Sequence, residues 1–360
     1  MLRAEAPVGE AGARPLTEVI RPFFAPPERF RGQFGSFRDP MLFDDGTPVK
    51  PPADWPRRRA EILATWHAAM GPWREVNPTP KVTVIATERV DEITRHKASV
   101  ELAPGRFQDC YLLVPAGSGP FPAVLVIWYT AGESAGIPSK PGDPVPIYAF
   151  GLDLAKRGFV TLCMADTKGI SNDPGVQPLS FAAYGAANAC NALANRPEVD
   201  PARIGVTGFS MGGKTAMFAS CLYEKFACAA WIDGGIVWNE QDSNANYWEA
   251  WYLGTDAGAT RKVGPVTAEN PRRGAYKTLI EGGHDLHELH ALMAPRPFLV
   301  SGGAQDPIDH WVPLNHAIRL YGFLGYQDRV AMTNRPGHYP TEESNQQLYA
   351  FFEHFLVPKR

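Results

Sequence analysis

Three things are scarce in this 360-residue chain. There is no run of about 18 apolar residues, so no membrane-spanning helix is encoded; the longest apolar stretches are strand-sized. There is no large excess of either charge: with a formal net charge of −3 the chain offers no electrostatic case for nucleic acid or another polyanion. Cysteine is sparse, with five residues (Cys110, Cys163, Cys190, Cys221 and Cys228) and no CxxC spacing, which argues against a disulfide scaffold or a zinc ribbon. An odd count leaves at least one thiol unpaired. Most lie in apolar stretches and read as buried free thiols, with a Cys221 to Cys228 disulfide as the lesser alternative. The opening Met1-Leu-Arg-Ala-Glu-Ala-Pro lacks the basic-then-apolar order of a signal peptide, and either a cytoplasmic or an exported protein is compatible with it.

What is present is an ordinary globular composition, 44% hydrophobic and 20% charged. Residues 1 to about 55 are rich in proline and glycine and too aperiodic for a core of their own. They are expected to wrap the body as part of an N-terminal segment over 1–80. Within it, Ile62, Leu63, Trp66 and Met70 share one face of an expected helix over 57–70. From residue 81 three strand-like runs follow one another (Val82 onward, Ala98 to Leu102, Cys110 to Val114) without intervening helices. After them, short continuous apolar strands alternate with helices, the pattern of a mostly parallel sheet covered on both faces. The expectation is one α/β domain over 81–358, its sheet opening with antiparallel strands, and a cap or wall inserted at about 234–290.

The strongest chemical signal is Gly208-Phe-Ser210-Met-Gly212-Gly213, set between an apolar strand and a helix. A serine hydroxyl is a weak nucleophile, and a sharp strand-to-helix turn exposes it to a base and to backbone donors. His338, in Arg335-Pro-Gly-His-Tyr-Pro after the last expected strand, is placed to be that base. Chain order makes Asp306, in Ser301-Gly-Gly-Ala-Gln-Asp306-Pro, the leading carboxylate; Asp309 and Asp233 are its competitors. The oxyanion hole is expected from the backbone N–H of Met211 and a second N–H at Tyr129 or Thr130. Trp128, Asp166, Trp238, His287 and Trp311 fall in or near loops at the carboxyl edge of the sheet and are candidates to line a substrate site. So is the Asp166-Thr-Lys168-Gly loop, while Lys214 reads as structural or as a pocket edge. His284, His287 and His290 lie at intervals of three, but without a nearby cysteine, and a serine mechanism needs no metal or cofactor.

These residues together resemble the α/β-hydrolase superfamily. Asp200-Pro-Ala-Arg-Ile-Gly-Val-Thr-Gly-Phe-Ser-Met-Gly-Gly-Lys-Thr-Ala and Asp285-Leu-His-Glu-Leu-His-Ala-Leu-Met-Ala-Pro-Arg-Pro-Phe-Leu-Val-Ser-Gly-Gly look like bacterial acetyl xylan esterase and glucuronoyl esterase relatives. The resemblance implies a serine esterase acting on carbohydrate-linked, acetyl-type esters, with Ser210 as nucleophile, His338 as base and Asp306 as acid. Glucuronoyl esterases typically carry arginine after the nucleophile, where this chain has Met211. A peptidase of prolyl-oligopeptidase type, a polyester or aryl ester hydrolase, and a hydrolase fold used only for binding are the alternatives. Oligomeric state is not legible.

Overall fold

Each parallel strand is apolar on both faces, and the computed structural model shows why. It describes residues 18–166, 173, 175–259 and 261–357. In β4 (Phe121–Trp128), Leu125 and Ile127 point into one core while Val124, Val126 and Trp128 point into the other. A strand buried on both sides has no place for a polar face.

The chain enters through an irregular segment and helix α1 (Trp55–Met70), which buries Ile62, Trp66 and Met70 against the first core and leaves Leu63 at its margin. Strands β1 (Val82–Val90), β2 (Ile93–Ala103) and β3 (Arg106–Val114) then form the antiparallel opening. After β4 come the single-turn α2 (Ala131–Ser134), α3 (Phe150–Lys156), β5 (Val160–Ala165), α4 (Pro178–Ala194), β6 (Val199–Phe209), α5 (Met211–Leu222) and β7 (Cys228–Ile232). The last part holds α6 (Gly274–Glu281), α7 (His287–Leu292), β8 (Phe298–Gly302), α8 (Trp311–Phe323), β9 (Val330–Asn334) and α9 (Glu342–Leu356), whose start is fixed by a reciprocal Thr341/Ser344 capping box.

The sheet order is β1-β2-β3-β5-β4-β6-β7-β8-β9, antiparallel as far as the β3/β5 pair and parallel from β5 to β9. Helices α3 and α9 cover one face; α1, α4, α5, α7 and α8 cover the other. This is the mixed, doubly covered sheet that the strand and helix pattern implies. The section between β7 and β8 is less irregular than its composition suggests, since α6 and α7 form there and α1 packs on both. All five cysteines are buried free thiols. No helix among the described residues is long and apolar enough to cross a membrane.

Candidate active site

The turn from β6 into α5 is built by close backbone approach. A Cβ on Gly212 would lie 2.0 Å from the Ile127 carbonyl oxygen, and one on Gly208 would lie 2.3 Å from that of Gly212, so only glycine lets the helix start this near the sheet. Between them Ser210 takes φ 56° and ψ −112°, in the left-handed half of backbone space where a side chain is strained. The strain is held by its neighbours: Ser210 N–H donates to Ile232 O (2.8 Å), and its carbonyl accepts from Lys214 N–H (3.0 Å). Ser210 is half-buried at the start of α5, where the first backbone N–H groups of a helix, here beginning with Met211, have no intrahelical partner. Tyr129 and Thr130, just beyond the end of the adjoining strand β4, are exposed at the same edge of the sheet.

His338 lies in the loop after β9 with its ring 4.7 Å from that of Phe209, the residue before the serine. Arg335 holds that loop: buried, it donates to the carbonyls of Ser301 (3.0 Å), Gly302 (3.0 Å), His338 (2.6 Å) and Tyr339 (2.8 Å). The carboxylate on His338 Nδ1 is Asp233, at 2.6 Å, and not Asp306. Asp233 follows β7 with φ 47°, and this second left-handed residue turns its side chain toward the histidine loop.

Asp306, expected as the acid, is engaged elsewhere. It accepts N–H bonds from Gly235 (2.9 Å) and Ile236 (2.7 Å) and lies 3.0 Å from His310 Nδ1. Burial opposes its charge, but the His310 bond and charge and the two backbone donors outweigh burial and hold the carboxyl below the usual carboxylate range. Asp233 returns the arrangement, its Oδ1 accepting from the N–H groups of Gln305 (3.0 Å) and Asp306 (2.9 Å). The loops after β7 and β8 are thus stitched to each other by the two aspartates. Asp309 is exposed on the following turn.

The expected substrate-lining residues divide. Trp128 stacks on Phe209 at 4.8 Å and 10°, beside the serine turn, with Tyr129 and Tyr148 against its ring; its Nε1–H donates to Glu133 (2.9 Å). Asp166 is half-buried at the end of β5, its N–H donating to Trp128 O (2.7 Å). Lys168 lies outside the described residues.

The other three are packing residues. Trp238 is wedged among Trp66, Tyr247 and Tyr276, with its Nε1–H on His284 O (2.8 Å). Trp311, the first residue of α8, is buried in the core. His287 is fully buried, Nε2 on Arg38 O (2.6 Å), its ring against Phe37 and His316. Its spacing relative to His284 and His290 does not converge: His284 Nδ1 meets Glu288 (2.7 Å) while His290 packs on Trp231. Among the described residues no group of three or more His, Cys, Asp or Glu side chains is placed to hold a metal ion. Arg335 and Gln305 lie inside the histidine and Asp306 motifs, but nothing in the sequence marks their roles.

A model of the prolyl oligopeptidase family matches residues 186–358. The 4-O-methyl-glucuronoyl methylesterase 1 of Wolfiporia cocos is 27% identical over 344 residues, covering 89% of this chain and 80% of that protein. Its counterpart in Phanerochaete chrysosporium is 26% identical, covering 89% and 69%. Among solved structures, a glucuronoyl esterase from Solibacter usitatus superposes with a TM-score of 0.70 at 20% identity, over 89% of this chain and 97% of that one. A putative acetyl xylan esterase from Bacteroides fragilis superposes with a TM-score of 0.57 at 16% identity, over 90% and 87%. Sheet order and these likenesses agree: the chain has the α/β-hydrolase fold and is similar along most of its length to the glucuronoyl esterases.

Proposed function

We propose that the protein is a serine carboxylic ester hydrolase acting on carbohydrate esters, with Ser210 as nucleophile, His338 as base and Asp233 as the acid that orients it. One observation carries the residue assignment: the 2.6 Å contact of Asp233 with His338 Nδ1, behind a serine held in a strained strand-to-helix turn. With Nδ1 committed to the carboxylate, Nε2 is the nitrogen free to work. It takes the Ser210 proton as Oγ bonds to the ester carbonyl carbon, and returns that proton to the alcohol oxygen as the C–O bond breaks. Water then enters by the same route, leaving the free acid and the restored serine. The Met211 N–H, with that of Tyr129 or Thr130, receives the oxyanion.

The curated relatives are named for methyl glucuronoyl esters, which supports a uronate ester as substrate. Met211 favours a second reading, an acetyl ester on a neutral sugar, because no arginine follows the nucleophile. Turnover of a methyl glucuronate, an acetylated xylo-oligosaccharide, an aryl acetate and a prolyl peptide separates these and tests the peptidase alternative. Ester turnover is expected, and Ser210→Ala should reduce kcat by about a thousand-fold or more while leaving the unfolding midpoint in place. A folded Ser210→Ala variant with near-normal turnover sinks the reading.

A further inference from the structure

A stack of rings runs inward from His338. The imidazole lies 4.7 Å from the Phe209 ring, tilted by 39°; Phe209 lies nearly flat on Trp128, at 4.8 Å and 10°; and Trp128 is backed by Tyr148 at 5.0 Å and 37°. Phe209 is fully buried and Trp128 is 6% exposed, so the two central rings sit in a packed interior. Stacking of this kind depends on how the ring faces are offset, and a ring that slides or turns gives it up.

Glu133, in the single turn α2, pins the stack within its plane. The Trp128 Nε1–H donates to Glu133 Oε2 (2.9 Å), and the other oxygen of that carboxylate accepts from the Ser139 hydroxyl. Burial opposes the charge on Glu133, but hydrogen bonding, that of Ser139 foremost, outweighs it and holds the carboxyl below the usual carboxylate range. An indole nitrogen can only donate, and a charged acceptor is the strongest kind it can meet. At the other end of the stack the imidazole needs a second constraint. Asp233 holds it at Nδ1, yet a hydrogen bond tolerates about 30° of bending with little loss, enough to swing Nε2 away from a hydroxyl. The Phe209 face limits that swing. Because Phe209 directly precedes Ser210, the surface behind the base is carried by the same turn as the nucleophile.

We propose that Glu133 is a positioning residue of the hydrolase: by pinning Trp128 it keeps the Phe209 face in place behind His338, and so holds Nε2 in line with the Ser210 hydroxyl. This rests on the triad reading above. The carboxylate acts through two rings and takes no part in proton transfer, so its loss should show in turnover and leave substrate binding almost untouched.

The test uses four substitutions. Glu133→Ala removes the acceptor, Glu133→Gln restores an oxygen for the indole, Trp128→Phe removes the donor while keeping a ring, and Phe209→Leu keeps apolar bulk without a flat face. For each, kcat and KM for an aryl acetate are measured beside the unfolding midpoint, at a temperature well below it. Glu133→Ala and Trp128→Phe are each expected to lower kcat about ten-fold, with KM within about two-fold of wild type, and Phe209→Leu to lose at least as much. Glu133→Gln should recover most of the turnover. The double variant of Glu133→Ala with Trp128→Phe should be no slower than the slower single one, since both remove the same bond. A folded Glu133→Ala variant with wild-type kcat, a Glu133→Gln variant as slow as Glu133→Ala, or fully additive losses in the double variant overturns the proposal. If Glu133→Ala does not fold, Trp128→Phe and Phe209→Leu decide by the same split between kcat and KM. Failure of the triad reading shows separately, as ester turnover that is absent in the wild type or survives Ser210→Ala.

Discussion

At the carboxyl ends of the parallel strands two residues with side chains occupy left-handed backbone positions among the described residues, Ser210 (φ 56°) and Asp233 (φ 47°). Such positions cost about 1 to 3 kcal/mol each and persist where surrounding contacts over-determine them. Both do something a relaxed residue could not: one lifts a hydroxyl off the helix start, and the other swings a carboxylate across to the next loop but one. Asp233→Asn is expected to lower kcat about a thousand-fold or more, because an amide holds the imidazole in the wrong tautomer. Asp306→Asn should act mainly on stability, through its bonds to Gly235, Ile236 and His310, with a smaller loss of kcat. Steady-state kinetics beside unfolding midpoints for the two variants check this; a larger kcat loss at Asp306 would return the acid to that position. The nucleophile and base were legible because glycine spacing and strand context leave a mark in the sequence. The acid was not. Asp233 and Asp306 both follow apolar strands, and the choice between them is made by one backbone torsion and by His310 claiming the second carboxylate.

At the scale of elements, the irregular segment ahead of α1 is held by side chains reaching its backbone from helices. Asn315 of α8 donates to the carbonyls of Phe30 (2.7 Å) and Gln33 (2.8 Å), and His316 Nε2 to that of Phe34 (2.9 Å). His287 of α7 reaches Arg38 O, and Arg58 of α1 reaches Pro40 O (3.2 Å). Carbonyls without a sheet or helix ladder must find donors when buried, and here the body of the protein supplies them. A wrapping segment was evident from its proline and glycine content, but its clamps were not, since all but Arg58 come from residues more than two hundred positions away. The same holds for Trp238, Trp311 and His287, whose loop positions suggested a substrate wall and whose rings are consumed in packing. Asn315→Leu should remove the side-chain donor to both carbonyls, of which Phe30 O keeps the Gln33 N–H (3.1 Å), and destabilise the fold by about 1 kcal/mol, with kcat for an ester unchanged because α8 contributes nothing to the triad. Urea unfolding and limited proteolysis within residues 26–45 measure it. An unaltered midpoint with no new cleavage would show the clamp to be dispensable.

For the whole molecule, buried histidines set how stability depends on pH. Burial pushes His287 down to about 4 and His290 well below its ordinary value, and lowers His67 and His316 in the same sense. In each case the unfolded chain takes up a proton near pH 6.5 that the folded chain refuses. The stability tied to these groups is therefore complete above that pH and is lost as pH falls toward the folded value. For His287 alone the loss by pH 5 is on the order of 2 kcal/mol. Asp285 works the other way: burial, against N–H bonds from Trp238 and Leu286, raises it to about 7, so its contribution is complete below the ordinary aspartate range and is lost as pH rises through 7. Four imidazoles held down by burial act against this one carboxyl, so the histidines prevail. The urea midpoint is expected to fall from pH 7 to pH 5. His287→Gln, which can still donate to Arg38 O, should flatten that fall, and Asp285→Asn should steepen it. A midpoint that rises on acidification, or a His287→Gln variant with the wild-type slope, would show that the buried imidazoles are not the groups responsible.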